Sequence, residues 1–177
     1  MAALQMPTGF FRTQKSPFAS EKAAAHGLTS FGRNNGARTL GYRYACGMCD
    51  IFARAMHLLV EGDMVASVRP RTASESGGSL KESTFLIHAG LRVGGVVIDI
   101  TGARLERCFI SESIGGQADV ATYGPVTAEQ LDEHQDRDPA FSRTLVMETL
   151  PIALATFRHV VAADPLLAHL SEALRER

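Results

Sequence analysis

The chain has 177 residues, of which 45% are apolar and 21% charged, a composition typical of a soluble globular domain. Fibrous and wholly disordered classes are excluded, and no apolar run reaches the roughly 18 residues that a membrane span needs. Three cysteines are too few for a disulfide scaffold, so we expect a cytoplasmic protein with no secretory signal and no membrane partner.

Basic side chains are concentrated in the first part of the sequence. Residues 1–45 hold six Lys or Arg and a single acidic residue, Glu21, although the net charge of the whole chain is −1. Because residues 1–40 also show little periodicity, we predict a loosely ordered basic arm over 1–40 and a single domain over 41–177. No nucleic-acid-binding module accompanies these charges, so we expect a protein partner for the arm and no nucleic acid.

The organised part of the sequence begins with a predicted helix over residues 49–59. Its apolar positions fall on one helical stripe: Met48, Phe52, Ala55, Met56 and Leu59. A short strand over 64–69 should follow, because Pro70 stops it. The Ser- and Gly-rich residues 72–83 predict a flexible loop.

A β-hairpin is the clearest element of the sequence. Its first strand alternates apolar residues at Phe85, Ile87, Ala89, Leu91 and Val93. Gly94-Gly95 supplies a two-residue turn, after which Val96 should face Val93 and Ile98 should face Leu91. On the opposite face of this hairpin, His88 becomes the diagonal neighbour of Asp99. Diagonal pairs lie about 7–8 Å apart at the backbone, within reach of an imidazole and a carboxylate.

The rest of the chain is predicted to be mainly helical. Cys108–Ile110 is a candidate strand, and residues 127–134 predict a short acidic helix. Asp138 should cap a further helix that begins at Pro139. Pro151 is expected to kink or interrupt that helix. We expect the C-terminal helices to cover the sheet.

Cys49 lies where the first predicted helix begins. The helix dipole and the unpaired backbone N–H groups at that end favour a thiolate. A thiol nucleophile needs a base, and the base needs a group that orients it. His88 and Asp99 supply such a pair, so the sequence predicts a Cys49–His88–Asp99 catalytic triad.

The residues Gly47-x-Cys49-Asp50-x-x-Ala53 and His88-x10-Asp99-x-Thr101-Gly102 carry a resemblance to the papain-like and transglutaminase-like cysteine enzymes, in particular to small bacterial and phage members. The resemblance covers about residues 41–104. It implies an α+β fold with a papain-like core, in which a Cys-bearing helix packs on a small antiparallel sheet. It also implies a thiol hydrolase or acyltransferase (protease, deamidase or transglutaminase-like) that acts on an amide or ester of a peptide or protein through a thioester, without cofactor or metal.

One departure from the papain pattern concerns the oxyanion hole. Papain-like proteases place a Gln before the catalytic Cys, and no Gln lies between Lys15 and Cys49. The backbone N–H of Cys49 would have to act as a donor, together with a side chain from a small candidate set: Asn34, Asn35, Tyr42 and Tyr44.

Three alternative functions remain open at the level of sequence. Cys46-x-x-Cys49 is a C-x-x-C at a helix start, as in thioredoxin-like redox sites, although residues 72–84 lack the proline that this fold places before its hairpin. Cys46 and Cys49 with His57 or His88 form a candidate zinc site, although a second ligand pair is missing. A non-catalytic adaptor with an inert papain-like core would use the basic arm.

Overall fold

An antiparallel β-sheet with helices on both faces forms the part of the chain that the computed structural model describes, which is residues 14–15, 44, 47–71, 84–100, 102–114, 121–163 and 167. Every pairing between the strands of this sheet is antiparallel. The predicted α+β class is therefore confirmed. The predicted loop over 72–83 lies outside the described residues.

The sheet has six strands in the spatial order β1-β5-β4-β3-β2-β6. Their bounds are Gln14–Lys15 for β1, Asp63–Pro70 for β2, Thr84–Val93 for β3, Val96–Asp99 for β4, Gly102–Leu105 for β5 and Thr122–Pro125 for β6. The two residues of β1 belong to the predicted arm and pair with β5 at the edge of the sheet. The other residues of the arm lie outside the described part of the chain.

Four helices accompany the sheet in the described residues. They are α1 (Cys49–Leu59), α2 (Glu106–Ile114), α3 (Ala128–Gln135) and α4 (Pro139–Ala163). The bounds of α1 confirm the predicted helix. The predicted acidic helix is α3, whose first turn is closed by a capping box between Thr127 and Gln130. Asp138 accepts hydrogen bonds from two backbone N–H groups at the start of α4, as predicted for its cap.

Helix α4 runs through Pro151, so the predicted interruption there is wrong, whereas the kink stays a prediction. Proline removes one backbone donor and crowds the preceding turn. Pro151 lies on the exposed side of α4, where water can reach the carbonyl that is left without a donor. The helix packs against α1 with buried residues on both sides of the proline, which stabilises both halves of the helix: Val146, Ala153, Phe157, Val160 and Val161.

The segment Cys108–Ile110 is part of α2, so the predicted strand there is wrong. Only Phe109 of these three residues is fully buried. In a helix, Phe109 and Ser113 lie one turn apart on the same side, and both contact the sheet. The helix thus buries one aromatic residue against the sheet and leaves the rest of the segment partly exposed.

The hairpin of β3 and β4 has the predicted turn and register. Gly94 and Gly95 both have positive φ, at 56° and 82°, and Leu91 pairs with Ile98. One part of the prediction is wrong. Ser67 of β2 pairs with His88 while Val68 pairs with Leu86, so Ile87 is an extra residue in a β-bulge.

The β-bulge reverses the alternation of β3 on its N-terminal side. Leu86 is therefore buried, whereas Phe85, which the strict alternation placed in the core, is 39% exposed. Ile87 is half-buried. The assignment of Phe85 and Ile87 to the core face does not hold.

The main core lies between the sheet, α1 and α4, and α2 covers the opposite face. Since successive residues of a strand face opposite sides, Ile98 of β4 enters the main core and Val97 packs under Phe109 of α2. Within α4, Pro139–Val161 meets the length and hydropathy of a membrane span, a criterion that core helices of soluble proteins also meet. One side of this helix packs against α1.

Candidate active site

Cys49 is the first residue of α1. The cap residue before it, Met48, makes no side-chain capping bond, and the first hydrogen bond within the helix runs from the Phe52 N–H to the Met48 carbonyl at 3.1 Å. The N–H groups of the first turn are therefore not used by the helix itself. The Cys49 residue is 3% exposed and packs beside Leu86 and Ala89 of β3. The fold thus places the thiol between a helix N-terminus and the middle of the sheet.

His88 of β3 and Asp99 of β4 form a direct hydrogen bond. The distance from His88 Nε2 to Asp99 Oδ2 is 2.7 Å, and the Asp99 side chain is almost wholly buried. The imidazole also stacks on Phe109, with 5.3 Å between ring centroids and 26° between the ring planes. Because Asp99 occupies Nε2, Nδ1 is the ring nitrogen left for another partner.

Cys49 acts directly on the ionisation of His88. Burial lowers the pKa of His88, but hydrogen bonds to Asp99 and Cys49 and the negative charges of both raise it further, to about 10. The raised pKa favours the imidazolium form of His88. The structure joins His88 directly to Asp99, and Cys49 lies near enough to contribute to the pKa of His88.

The β-bulge at Ile87 lies directly beside His88. His88 keeps the face that alternation from the regular pairing of β3 with β4 gives it, beside Ser67 of β2 and against Phe109 of α2. The extra residue turns Leu86 to the opposite face, where it packs in the cluster that contains Cys49. Bulges are frequent next to active sites because they redirect one side chain. The apolar pattern of β3 gave no sign of this bulge, which is the local feature that sequence reasoning missed.

Arg104 is a second residue of the site that sequence reasoning missed. Its Nη2 donates to Asp99 Oδ2 and its Nη1 donates to Glu112. Its guanidinium also lies over the Phe109 ring, 5.3 Å from the centroid. A signal was available, because Asp99 pairs with Gly102 across a tight turn, which makes Arg104 the diagonal neighbour of Asp99.

Two ion pairs anchor α1 on the side that faces α3 and α4. Asp50, fully buried, pairs with Arg137, which also donates to the Gly47 carbonyl ahead of Cys49. Arg54 pairs with Asp132 at 2.8 Å. Burial raises the pKa of Asp50, and the nearby Arg137 and Arg54 partly offset this. The first turn of α1, which carries Cys49, is thereby fixed by charge as well as by packing.

The structure describes two of the candidate oxyanion donors, the Tyr44 hydroxyl and the backbone N–H of Cys49. The Tyr44 hydroxyl lies 2.9 Å from Thr149 Oγ1 of α4, so it is engaged within the core. Asn34, Asn35 and Tyr42 lie outside the described residues. Among the candidates that the structure describes, the backbone N–H of Cys49 is the donor placed beside the thiol.

The described geometry does not favour the redox or zinc alternatives. A C-x-x-C redox motif is typical of a βαβ unit, which needs parallel strands, whereas the pairings described here are antiparallel. His57 lies two turns along α1 from Cys49, and its Nδ1 contacts the Gly62 carbonyl at 3.0 Å. Within the described ranges, no three His, Cys, Asp or Glu side chains are grouped as a metal site. Cys46 lies outside those ranges.

Comparisons with protein-family models, curated proteins and solved structures find no match for this chain. The functional argument therefore rests on the geometry around His88 and on the chemistry of the three side chains.

Proposed function

We propose that the protein is a cysteine hydrolase or acyltransferase that acts on an amide or ester carbonyl through a Cys49–His88–Asp99 triad. The observation that carries the proposal is the position of His88, which is held by Asp99 at 2.7 Å and lies near enough to Cys49 for that residue to contribute to its raised pKa. An imidazolium beside a thiol at a helix N-terminus favours a thiolate, the reactive form of cysteine.

The proposed reaction begins with attack of the Cys49 thiolate on the carbonyl carbon. A carbon–sulfur bond forms, and the carbonyl electron pair moves onto oxygen, where the backbone N–H of Cys49 is in place to donate. As the carbon–nitrogen or carbon–oxygen bond breaks, His88 gives its proton to the leaving amine or alcohol. The product on the protein is a thioester.

The second half of the reaction releases the acyl group. His88, now neutral, takes a proton from water or from an acceptor amine, which attacks the thioester carbonyl. The carbon–sulfur bond breaks and restores the thiolate and the imidazolium. Asp99 keeps Nε2 occupied throughout, so that Nδ1 faces the reacting atoms. No cofactor takes part in this scheme.

The finer fold assignment and the substrate class are part of the same proposal. A helix with Cys at its first residue, packed on an antiparallel sheet that carries His and Asp on neighbouring strands, supports a papain-like core. We propose a peptide or protein substrate in the cytoplasm, a protein partner for the basic arm, and neither nucleic acid nor membrane as ligand.

Acyl transfer to p-nitrophenyl acetate tests the nucleophile. The wild-type chain should release p-nitrophenolate and carry one acetyl group on the peptide that contains Cys49, as read by mass spectrometry after an acid quench. Cys49→Ala should lose that label, and His88→Ala should slow labelling by several orders of magnitude. Cys108→Ala is the matched control, since it removes a half-buried cysteine of α2. Acetylation that persists unchanged in Cys49→Ala would refute the proposal.

Alkylation by iodoacetamide tests the ion pair independently of any substrate. Burial slows access to Cys49 at every pH, so the informative quantity is the pH midpoint of the rate and not its absolute value. In the wild type the midpoint should lie below the roughly 8.5 of a free thiol, and His88→Ala should move it towards that value. A midpoint that His88→Ala leaves unchanged would show that the two side chains do not form an ion pair.

A further inference from the structure

We propose that Arg104 is a positioning residue of the active site, which holds the Asp99 carboxylate against His88 and balances the charge of the triad. The inference rests on the proposed function and extends it to a fourth side chain. Arg104 contacts none of the reacting atoms. It acts through Asp99.

The first argument is the sharing of one carboxylate oxygen. Asp99 Oδ2 accepts from His88 Nε2 at 2.7 Å and from Arg104 Nη2. A carboxylate that is 1% exposed needs donors from the protein to compensate for the loss of water. The guanidinium approaches the same oxygen as the imidazole, so it restricts rotation of the carboxylate away from His88.

The second argument is that Arg104 itself is held in place. Glu112 of α2 accepts from Nη1, and the Phe109 ring lies under the guanidinium. Phe109 also stacks on the His88 imidazole. Phe109 therefore helps to position both His88 and Arg104, the two partners of Asp99. The planar guanidinium of an arginine suits that geometry better than the point charge of a lysine.

The third argument is the charge of the buried site. Among the described residues, the titratable groups that face His88 are Cys49 from α1 and Asp99 from β4, and Arg104 of β5 lies on the far side of Asp99. With the thiolate, the imidazolium and the carboxylate alone, the site would carry a net negative charge. Arg104 neutralises it, and a neutral site costs less to bury and favours the thiolate.

The test compares Arg104→Met with the wild type in Cys49 alkylation and in acetylation by p-nitrophenyl acetate. Loss of the cation and loss of carboxylate orientation both disfavour the thiolate, so the alkylation midpoint should move to higher pH. Acetylation should slow by about 10²-fold, the effect of a misplacement near 1 Å. Arg143→Met is the matched control, because it also removes one arginine but from the exposed side of α4, away from the site. It should retain the wild-type midpoint.

A double-variant cycle separates positioning from general stability. If Arg104 acts through Asp99, then Asp99→Asn with Arg104→Met should show the same midpoint and acetylation rate as Asp99→Asn alone. If Arg104 has a purely structural role, Arg104→Met should slow acetylation by the same factor in the wild type and in Asp99→Asn. Arg104→Lys provides a second variant, should Arg104→Met fail to fold, and should recover the midpoint in part because it keeps the charge.

The outcomes distinguish this inference from the proposed function. A reactive wild-type Cys49 whose midpoint and rate are unchanged in Arg104→Met would overturn the role of Arg104 and leave the triad standing. Additive losses in the double variant would also overturn it. An inert wild-type Cys49 would overturn the triad, and the role of Arg104 with it.

Discussion

Gly90 lies in β3 where α2 packs closely against the sheet, beside His88. A Cβ atom at this residue would lie 2.6 Å from Val97 Cγ1, 3.1 Å from the Ile98 carbonyl oxygen and 3.4 Å from the Phe109 ring. The valine side chain is fully buried and stiff at χ1, and the carbonyl belongs to the sheet, so neither can move freely. The absence of a side chain at this residue is what lets Phe109 lie close to His88.

We therefore expect Gly90→Ala to lower the free energy of unfolding by about 1–3 kcal/mol, the usual cost of overpacking. It should also slow acetylation of Cys49, because a displaced Phe109 ring no longer supports the imidazole. Gly124→Ala is the matched control, since nothing lies within 4 Å of a Cβ at that strand residue. Urea unfolding of the two variants checks the expectation. Equal unfolding midpoints would show that the Phe109 contact adapts without cost.

At the scale of single elements, the β-bulge of β3 lets Leu86 and His88 lie on opposite faces of the sheet although one residue separates them. Deleting Ile87 would make Leu86 and His88 consecutive opposite Val68 and Ser67, so each should keep its present side of the sheet. The local twist that a bulge adds would be lost. We expect the deletion variant to fold but to lose the contact between His88 and Cys49, and the alkylation midpoint should rise towards that of a free thiol.

Ile87→Ala is the control for that deletion, because it keeps the chain length and the bulge while removing a half-buried side chain. Its alkylation midpoint should equal that of the wild type. Should the deletion variant retain the wild-type midpoint, the twist added by the bulge would have no part in bringing His88 close to Cys49.

Helix α1 depends on the pair of Asp50 and Arg137 for its position. Arg137→Met would leave a fully buried carboxylate without its main partner, which typically costs about 3–5 kcal/mol of stability. Since the arginine lowers the pKa of Asp50 against the effect of burial, its removal raises that pKa further. The loss should therefore be largest near neutral pH and shrink in acid, where Asp50 becomes protonated.

Urea unfolding at pH 7.5 and pH 5 measures this difference. Arg143→Met is the matched control, because it also removes one arginine but from the exposed side of α4. It should change the free energy of unfolding little at either pH. A loss in Arg137→Met that is identical at both pH values would mean that the cost comes from packing and not from the charge on Asp50.

The elements differ in how far the sequence predicts them. Helix α1 and the hairpin register follow from periodicity and from a Gly-Gly turn, because these signals are local and strong. The bulge at Ile87 leaves the apolar pattern intact, so only the pairing with β2 reveals it. The position of Arg104 beside Asp99 likewise depends on a strand pairing, and the helical state of α2 depends on its packing against the sheet.

At the scale of the whole molecule, the candidate site lies where two layers meet. Helix α1 brings Cys49 from the side of the main core, and α2 supports His88 and Asp99 from the opposite face. Neither layer alone holds the triad. Stability and reactivity should therefore respond together to changes in the charge of His88.

The pH dependence of stability tests whether His88 is charged in the folded protein. Its folded-state pKa, about 10, lies above the unfolded value of 6.5, so the folded state binds the proton more tightly. The resulting stabilisation is complete below about pH 6.5 and is lost as the pH rises through 10. His88→Gln cannot take up this proton.

In the proposed ion pair, the proton that His88 gains on folding is offset by the proton that Cys49 loses, so the difference in unfolding free energy between the wild type and His88→Gln should change little up to about pH 8.5. Above the roughly 8.5 at which an unfolded thiol is itself ionised, the difference should fall by up to about 1.4 kcal/mol per pH unit towards pH 10. Urea unfolding at pH 7.5, 8.5 and 10 measures it. A difference that stays constant up to pH 10 would mean that the imidazole is neutral in the folded protein. Cys49 would then need a base that draws its proton during the reaction, in place of a preformed ion pair.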